Sequence, residues 1–132
     1  MKIRAIYLRA GVDIPPEVIE IDDRDNLDEL YRLINCNSID VTYRQFDKKI
    51  FAVVCDDNGK LKNDSITSAI TMRANQPIRT DLVGNLIVTG YPNDEGDFTS
   101  LSDEDIKTIL RNVISLQLFV GEKSTFAFAF VL

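Results

Sequence analysis

The alternation of apolar and polar positions along the chain predicts a protein built mostly of strands. Ile3, Ala5 and Tyr7 alternate with Lys2, Arg4, Ile6 and Leu8, the period-two pattern of an opening strand with one face more buried than the other. Gly11-Val12-Asp13-Ile14-Pro15-Pro16 reads as a loop, because paired prolines block both helix and ladder hydrogen bonds. Val18, Ile19 and Ile21 then form a short second strand, a hairpin partner for the first. Asn26-Leu27-Asp28-Glu29 has the spacing of a capping box, with Asn26 capping free amides and Glu29 reaching back to the cap nitrogen. Leu27, Leu30, Tyr31, Leu33 and Ile34 follow at helical spacing and predict a helix over about residues 27–35.

Ile39, Val41 and Tyr43, with Phe46, read as the next strand, and Ile50 to Cys55 as a buried one, apolar on both faces. Asp56-Asp57-Asn58-Gly59 closes it with a strong turn signal. From Lys62 to Gln76 the pattern is ambiguous: Ile66, Ala69, Ile70 and Arg73 fit a short helix, but Thr and Ser dilute the propensity. Leu82 to Val88 is predicted to be one strand, with Gly84 permitting a bulge or a close backbone approach. After the acidic, turn-rich stretch from Tyr91 to Ser100, Ser102 is placed to cap a further helix. Its first turn, Asp103-Glu104-Asp105, sets negative charge at the positive end of the dipole. Ile106, Ile109, Leu110, Val113 and Ile114 are its expected core face. Two apolar runs, residues 116–120 and 125–132, flank Gly121-Glu122-Lys123-Ser124 and predict a Phe-rich hairpin at about 116–132. The expected class is α+β: a mainly antiparallel sheet with two or three short helices packed on it, as a single domain over residues 1–132.

Composition supports a folded domain and removes several functions. The 132 residues are 45% hydrophobic and 27% charged, values of an ordinary globular chain. With 15 basic and 21 acidic residues, the formal charge of −6 disfavours direct nucleic-acid binding, which needs a positive footprint. The chain has no histidine, and its two cysteines, Cys36 and Cys55, are not in a Cys-x-x-Cys arrangement, so neither a zinc site nor a disulfide framework is expected. The start of the chain lacks the apolar stretch of a signal peptide, and no run is long enough to span a bilayer; a cytoplasmic location follows as the expectation.

Candidate chemistry is sparse. The carboxylates of Asp94, Glu95, Asp97, Asp103, Glu104 and Asp105 lack the spacing of a calcium loop and fit a solvated loop followed by a helix start. With Asp22, Asp23, Asp25 and Asp28 they could instead imitate DNA phosphates. Arg73, Asn75 and Arg79, with Gln76, could hold a phosphate or nucleotide, with Tyr91 or Phe98 as a stacking surface. Without a histidine base, a nucleophile elbow or a Gly-rich phosphate loop, nucleophilic catalysis is disfavoured, and neither catalytic residue, metal nor cofactor is expected.

Six segments taken together carry a resemblance. They are Lys2 to Ile6, Pro16 to Ile21, Leu27 to Ile34, Val54 to Leu61, Asp81 to Val88 and Gly96 to Ile106. The most specific is Asp97-Phe98-Thr99-Ser100-Leu101-Ser102-Asp103-Glu104. From residue 2 to about 113 the chain resembles a family of small bacteriophage and prophage proteins catalogued as a domain of unknown function. Asn63 is the nearby match to the family's Asn-containing loop, the stretch to Arg79 departs from the pattern, and the Phe-rich hairpin is an addition to it. The resemblance implies a phage accessory protein in the cytoplasm of a bacterial host, and implies no catalytic residue. The expected function is therefore non-enzymatic binding of a host target, in the service of counteracting bacterial defence. A sponge sequestering a nucleotide signal at a subunit interface and an acidic DNA mimic stand as alternatives. A homo-oligomer formed through the C-terminal hairpin is a further expectation, because so apolar a hairpin needs both faces and an edge covered.

Overall fold

In the computed structural model, residues 2–22, 26–58, 69–72 and 79–131 are described. The first hairpin forms as its alternation predicts: β1 (Lys2–Leu8) pairs antiparallel with β2 (Glu17–Asp22), setting Ile3 opposite Ile21 and Ala5 opposite Ile19. A second hairpin joins β3 (Ile39–Phe46) to β4 (Lys49–Asp56) through Asp47, which takes a positive φ of 56° in the tight turn. Between the hairpins lies β7 (Leu86–Gly90), antiparallel to both β1 and β4, so that the sheet runs β2-β1-β7-β4-β3. Both faces of this sheet are covered, which is why Phe51 to Val54 and Leu86 to Val88 are buried without alternation.

One face is closed by α1 (Asn26–Ile34), whose Leu30 and Ile34 pack on Ile3, Ala5, Tyr7, Ile21, Val54 and Ile87. The other face carries the main core. There Ile6, Leu8, Phe46, Phe51, Val53, Leu86 and Val88 meet Leu101 and Ile109, and Phe128 and Phe130 from a second sheet. Leu101 leads into α2 (Asp103–Arg111), which supplies Ile109. The second sheet has the order β6-β5-β9-β8 and contains β5 (Ala69–Met72), β6 (Arg79–Leu82), β8 (Val113–Val120) and β9 (Lys123–Val131). Its β8-β9 hairpin and β5-β6 pair are antiparallel, whereas β5 runs parallel to β9.

The architecture is thus the expected α+β, mainly antiparallel one, weighted toward sheet, with several local corrections. Two sheets stand where one was expected. The single strand foreseen over Leu82–Val88 is two: Leu82 ends β6 in the second sheet, and Leu86 begins β7 at the centre of the first. The chain changes sheets at Val83-Gly84-Asn85, with Gly84 at φ +94°, a conformation that residues with a Cβ rarely adopt. Ala69 and Ile70 lie in a strand rather than a short helix, because β9 offers them a ladder; the other residues of that helical pattern lie outside the described residues. Val113 and Ile114 are not on the helix face but open β8: α2 stops when the Asn112 side chain donates to the Thr108 carbonyl. Leu110, expected in the core, is 43% exposed. At α1, Glu29 accepts from the Asp22 amide at 3.2 Å, a partner four positions upstream of the expected one.

The Ser102 cap of α2 is formed as expected. Its hydroxyl accepts from the Asp105 amide at 3.1 Å, and the Asp105 carboxylate accepts from the Ser102 amide at 3.0 Å, a closed capping box. Neither described helix is long and apolar enough to cross a membrane.

Candidate functional site

Two features of the surface bear on function, and both lie where the first sheet ends. One is a pocket of about 410 Å³ at the C-terminal end of α1, lined by Tyr31, Asn35, Cys36, Asn37, Asp56 and Asn85, among others. Asn35 ends the helix with a positive φ of 60°, and the Cys36 amide donates back to the Tyr31 carbonyl at 3.0 Å. Asn85 fixes the pocket wall. Its carbonyl oxygen accepts from the Ala10 amide at 2.7 Å, while its amide donates to the Leu33 carbonyl and the Tyr7 hydroxyl, each at 3.1 Å. The Tyr7 hydroxyl donates to the same Leu33 carbonyl at 2.7 Å, and burial raises its pKa above the ordinary phenol value. The lining is therefore amide-rich and neutral apart from Asp56, and it faces the negative end of a helix dipole.

The second feature is an exposed aromatic pair at the other end of β7. Tyr43 stands on β3 opposite Ala52, which in turn stands opposite Thr89 of β7. The small Ala52 leaves room for the Tyr43 ring to lean toward Tyr91, and the two ring centroids are 5.3 Å apart at 39°. Tyr43 is 46% exposed and Tyr91 54%, with Ile50 beside them at 45%. Tyr91 is held at this corner because Gly90 bridges to Thr99 and the Thr99 hydroxyl donates to the Tyr91 carbonyl at 2.8 Å.

The acidic loop that follows is ordered by its own side chains. Asn93 accepts from the amides of Glu95 and Asp97 at 2.9 and 3.0 Å, making a closed turn. Among the described residues no group of carboxylates, cysteines or histidines could hold a metal ion. Asp103 accepts from Arg4 at 2.7 Å and Asp47 from Arg111 at 3.0 Å; these hydrogen bonds hold both carboxyls below the usual range. Burial works to raise Asp105, but bonds from Lys49 at 2.6 Å and from Ser102 outweigh it and leave that carboxyl low too. None of these three shifted carboxylates lines a described pocket; each fastens α2 or the turn beside it to the first sheet.

Of the five sequence-predicted ligand residues, Arg73 and Asn75 lie outside the described residues. Arg79 opens β6 in the second sheet, and its side chain is likewise not described. Tyr91 is exposed at the corner of the first sheet, whereas Phe98, across the same loop, packs against the core beneath α1. The aromatic partner of Tyr91 is thus Tyr43, which strand alternation alone does not single out as exposed. The pocket residues Asn35, Asn37 and Asn85 gave no motif, because they are brought together from a helix end and a sheet crossing.

A family model described as a domain of unknown function, DUF3846, matches residues 1–114, ending just inside β8. No curated protein and no solved structure matches the chain. With the match covering most of its length, the chain belongs to this DUF3846 family.

Proposed function

We propose that this protein is a phage-encoded accessory protein of the bacterial cytoplasm that acts without catalysis, by binding a host protein and so counteracting host defence. The observation that supports the reading is the exposed Tyr43–Tyr91 pair with Ile50 beside it. Tyrosine is enriched at the energetic centres of protein interfaces, where a large ring adds contact area at low conformational cost. The carboxylates add to the argument against catalysis: those with lowered pKa are engaged in ion pairs and caps rather than gathered in a cleft. The same pairing weakens the acidic DNA mimic, because Arg4 and Lys49 offset Asp103 and Asp105, two of the acids that reading draws on.

The nucleotide-sponge alternative has less support. Among the described residues, the wall of the α1 pocket contains no lysine or arginine, and the helix end there repels phosphate. A photo-crosslinking amino acid placed at Tyr91, with Lys107 on α2 as control position, tests the binding reading in bacterial cells. A host protein captured at Tyr91 alone, whose affinity for the purified chain falls about tenfold or more in Tyr43→Ala/Tyr91→Ala, supports it. Equal capture at both positions, or an unchanged affinity in the double variant, overturns it.

A further inference from the structure

Among the described residues the two sheets have four outer edges, and three of these strands carry charged residues in their sequence. β2 carries Glu17, Glu20 and Asp22 and follows Pro15-Pro16; β3 carries Asp40 and Arg44; β6 carries Arg79 and Asp81. Charged and proline residues on an edge oppose pairing with another strand. The fourth edge, β8, has none of these: its eight residues, Val113-Ile-Ser-Leu-Gln-Leu-Phe-Val120, contain neither a charge nor a proline. Among the described residues β9 is its only strand partner. Alternate residues of an antiparallel strand bond one neighbour, so roughly four residues of β8 turn their N–H and C=O groups outward. Phe119 on this strand is 71% exposed and Ile114 42%.

We propose that β8 pairs antiparallel with β8 of a second copy of this chain, about a two-fold axis through Leu116, joining the two four-stranded sheets into one. The inference is independent of the host-binding reading. The argument for a second copy is the strand's complementarity to itself. Directly opposed residues in a sheet share a face, so a two-fold axis normal to the sheet must fall on a residue. With the axis at Leu116, Leu116 meets the partner's Leu116, and Ile114 meets the partner's Leu118, all on the face opposite Phe128 and Phe130. On the other face Ser115 meets the partner's Gln117, polar with polar, and exposed Phe119 meets the partner's Val113. Moving the axis to Gln117 sets Ser115 against Phe119, and moving it to Ser115 sets Gln117 against Val113. Of these three registers, only the one at Leu116 matches like with like from Val113 to Phe119.

Native mass spectrometry and sedimentation velocity of the full chain over a range of concentrations test the proposal. The expected result is a species of twice the 14.9 kDa chain mass, shifted to monomer in Leu116→Lys, which sets two ammonium groups face to face. The register is tested by Leu116→Cys, since opposed Cα atoms lie about 4.5–5.5 Å apart, within disulfide reach. Leu116→Cys is expected to cross-link under mild oxidation. Leu118→Cys is expected not to, because its own copy is displaced by four residues, about 13 Å along the strand. The natural cysteines, Cys36 and Cys55, are buried and add little background. A monomer at every concentration overturns the proposal, including one that instead pairs β8 with a host strand. So does a dimer that persists in Leu116→Lys while Leu116→Cys stays uncross-linked.

Discussion

The ring of Phe130 meets that of Phe46 edge-on, with centroids 5.5 Å apart and planes at 86°. Both side chains are fully buried, one on β9 of the second sheet and the other at the end of β3 in the first. The contact ties the hairpin that follows the family match into the core of the matched region.

Phe130→Ala is therefore expected to destabilise the protein by about 3–5 kcal/mol, through lost transfer energy and the cavity left behind. Urea unfolding followed by circular dichroism measures it. A loss under about 1 kcal/mol would mean that the hairpin packs only loosely on the first sheet.

Gly90 lies so close to Thr99 that an added Cβ would collide with its hydroxyl and sit 3.1 Å from its carbonyl oxygen. Gly90→Ala is expected to push the two segments apart, break the Gly90–Thr99 bridge and free Tyr91, at about 1–3 kcal/mol. Gly84→Ala meets no such obstacle but must hold φ near +94°, so its expected cost of about 1–2 kcal/mol is backbone strain alone. Thermal melts of the two variants, each compared with and without Tyr91→Phe to isolate the Tyr43–Tyr91 corner from Tyr7 and Tyr31, separate the cases: only Gly90→Ala alters the Tyr91 contribution to the fluorescence.

Asp105 joins a cap to an ion pair, and its lowered pKa gives stability a pH dependence of known sign. A carboxyl held lower in the folded chain than its unfolded value of about 3.9 contributes fully above that value, and the contribution disappears as pH falls through the folded value. The stability difference between the wild type and Asp105→Asn should be flat from neutral pH to about 4 and shrink below it. A difference unchanged at pH about 2.5 would show that the carboxylate charge adds nothing to the hydroxyl and amide bonds of the capping box.

Burial in the main core pushes the Cys55 thiol up to about 11, with Asp40 adding to the effect. Its thiol should resist labelling at neutral pH until the chain unfolds, and mass spectrometry after a timed pulse of reagent checks this. Rapid labelling without denaturant would place Cys55 nearer the surface than the core packing allows.

How much of this was legible in the sequence depended on the range of each signal. Local rules located the β1-β2 hairpin, the strands β3 and β4, where alternation or an apolar run acts within a few residues, and the Ser102 cap. They failed where a remote neighbour decides. An apolar run such as Leu82–Val88 has the same period whichever sheet receives it, and only the crossing at Gly84 divides it. Val113 and Ile114 sit at helical spacing from Ile109 and Leu110, yet pairing with Phe130 and Ala129 makes them strand. The Tyr43–Tyr91 corner was half legible: Tyr91 stood out as a loop aromatic, while its partner depends on β3 register across Ala52.

The position of β9 between β5 and β8 also governs the order in which the chain can fold as it is made. β5, at residues 69–72, has its parallel partner at residues 128–131, so it waits through the synthesis of more than half a hundred residues before that ladder can close. The five-stranded sheet needs nothing beyond residue 90 for its strand pairing. A nascent chain can thus assemble its first sheet while Phe46 and Phe51 still await their cover, and such delayed, distant pairing makes for slow folding and a premium on chaperone protection at the ribosome.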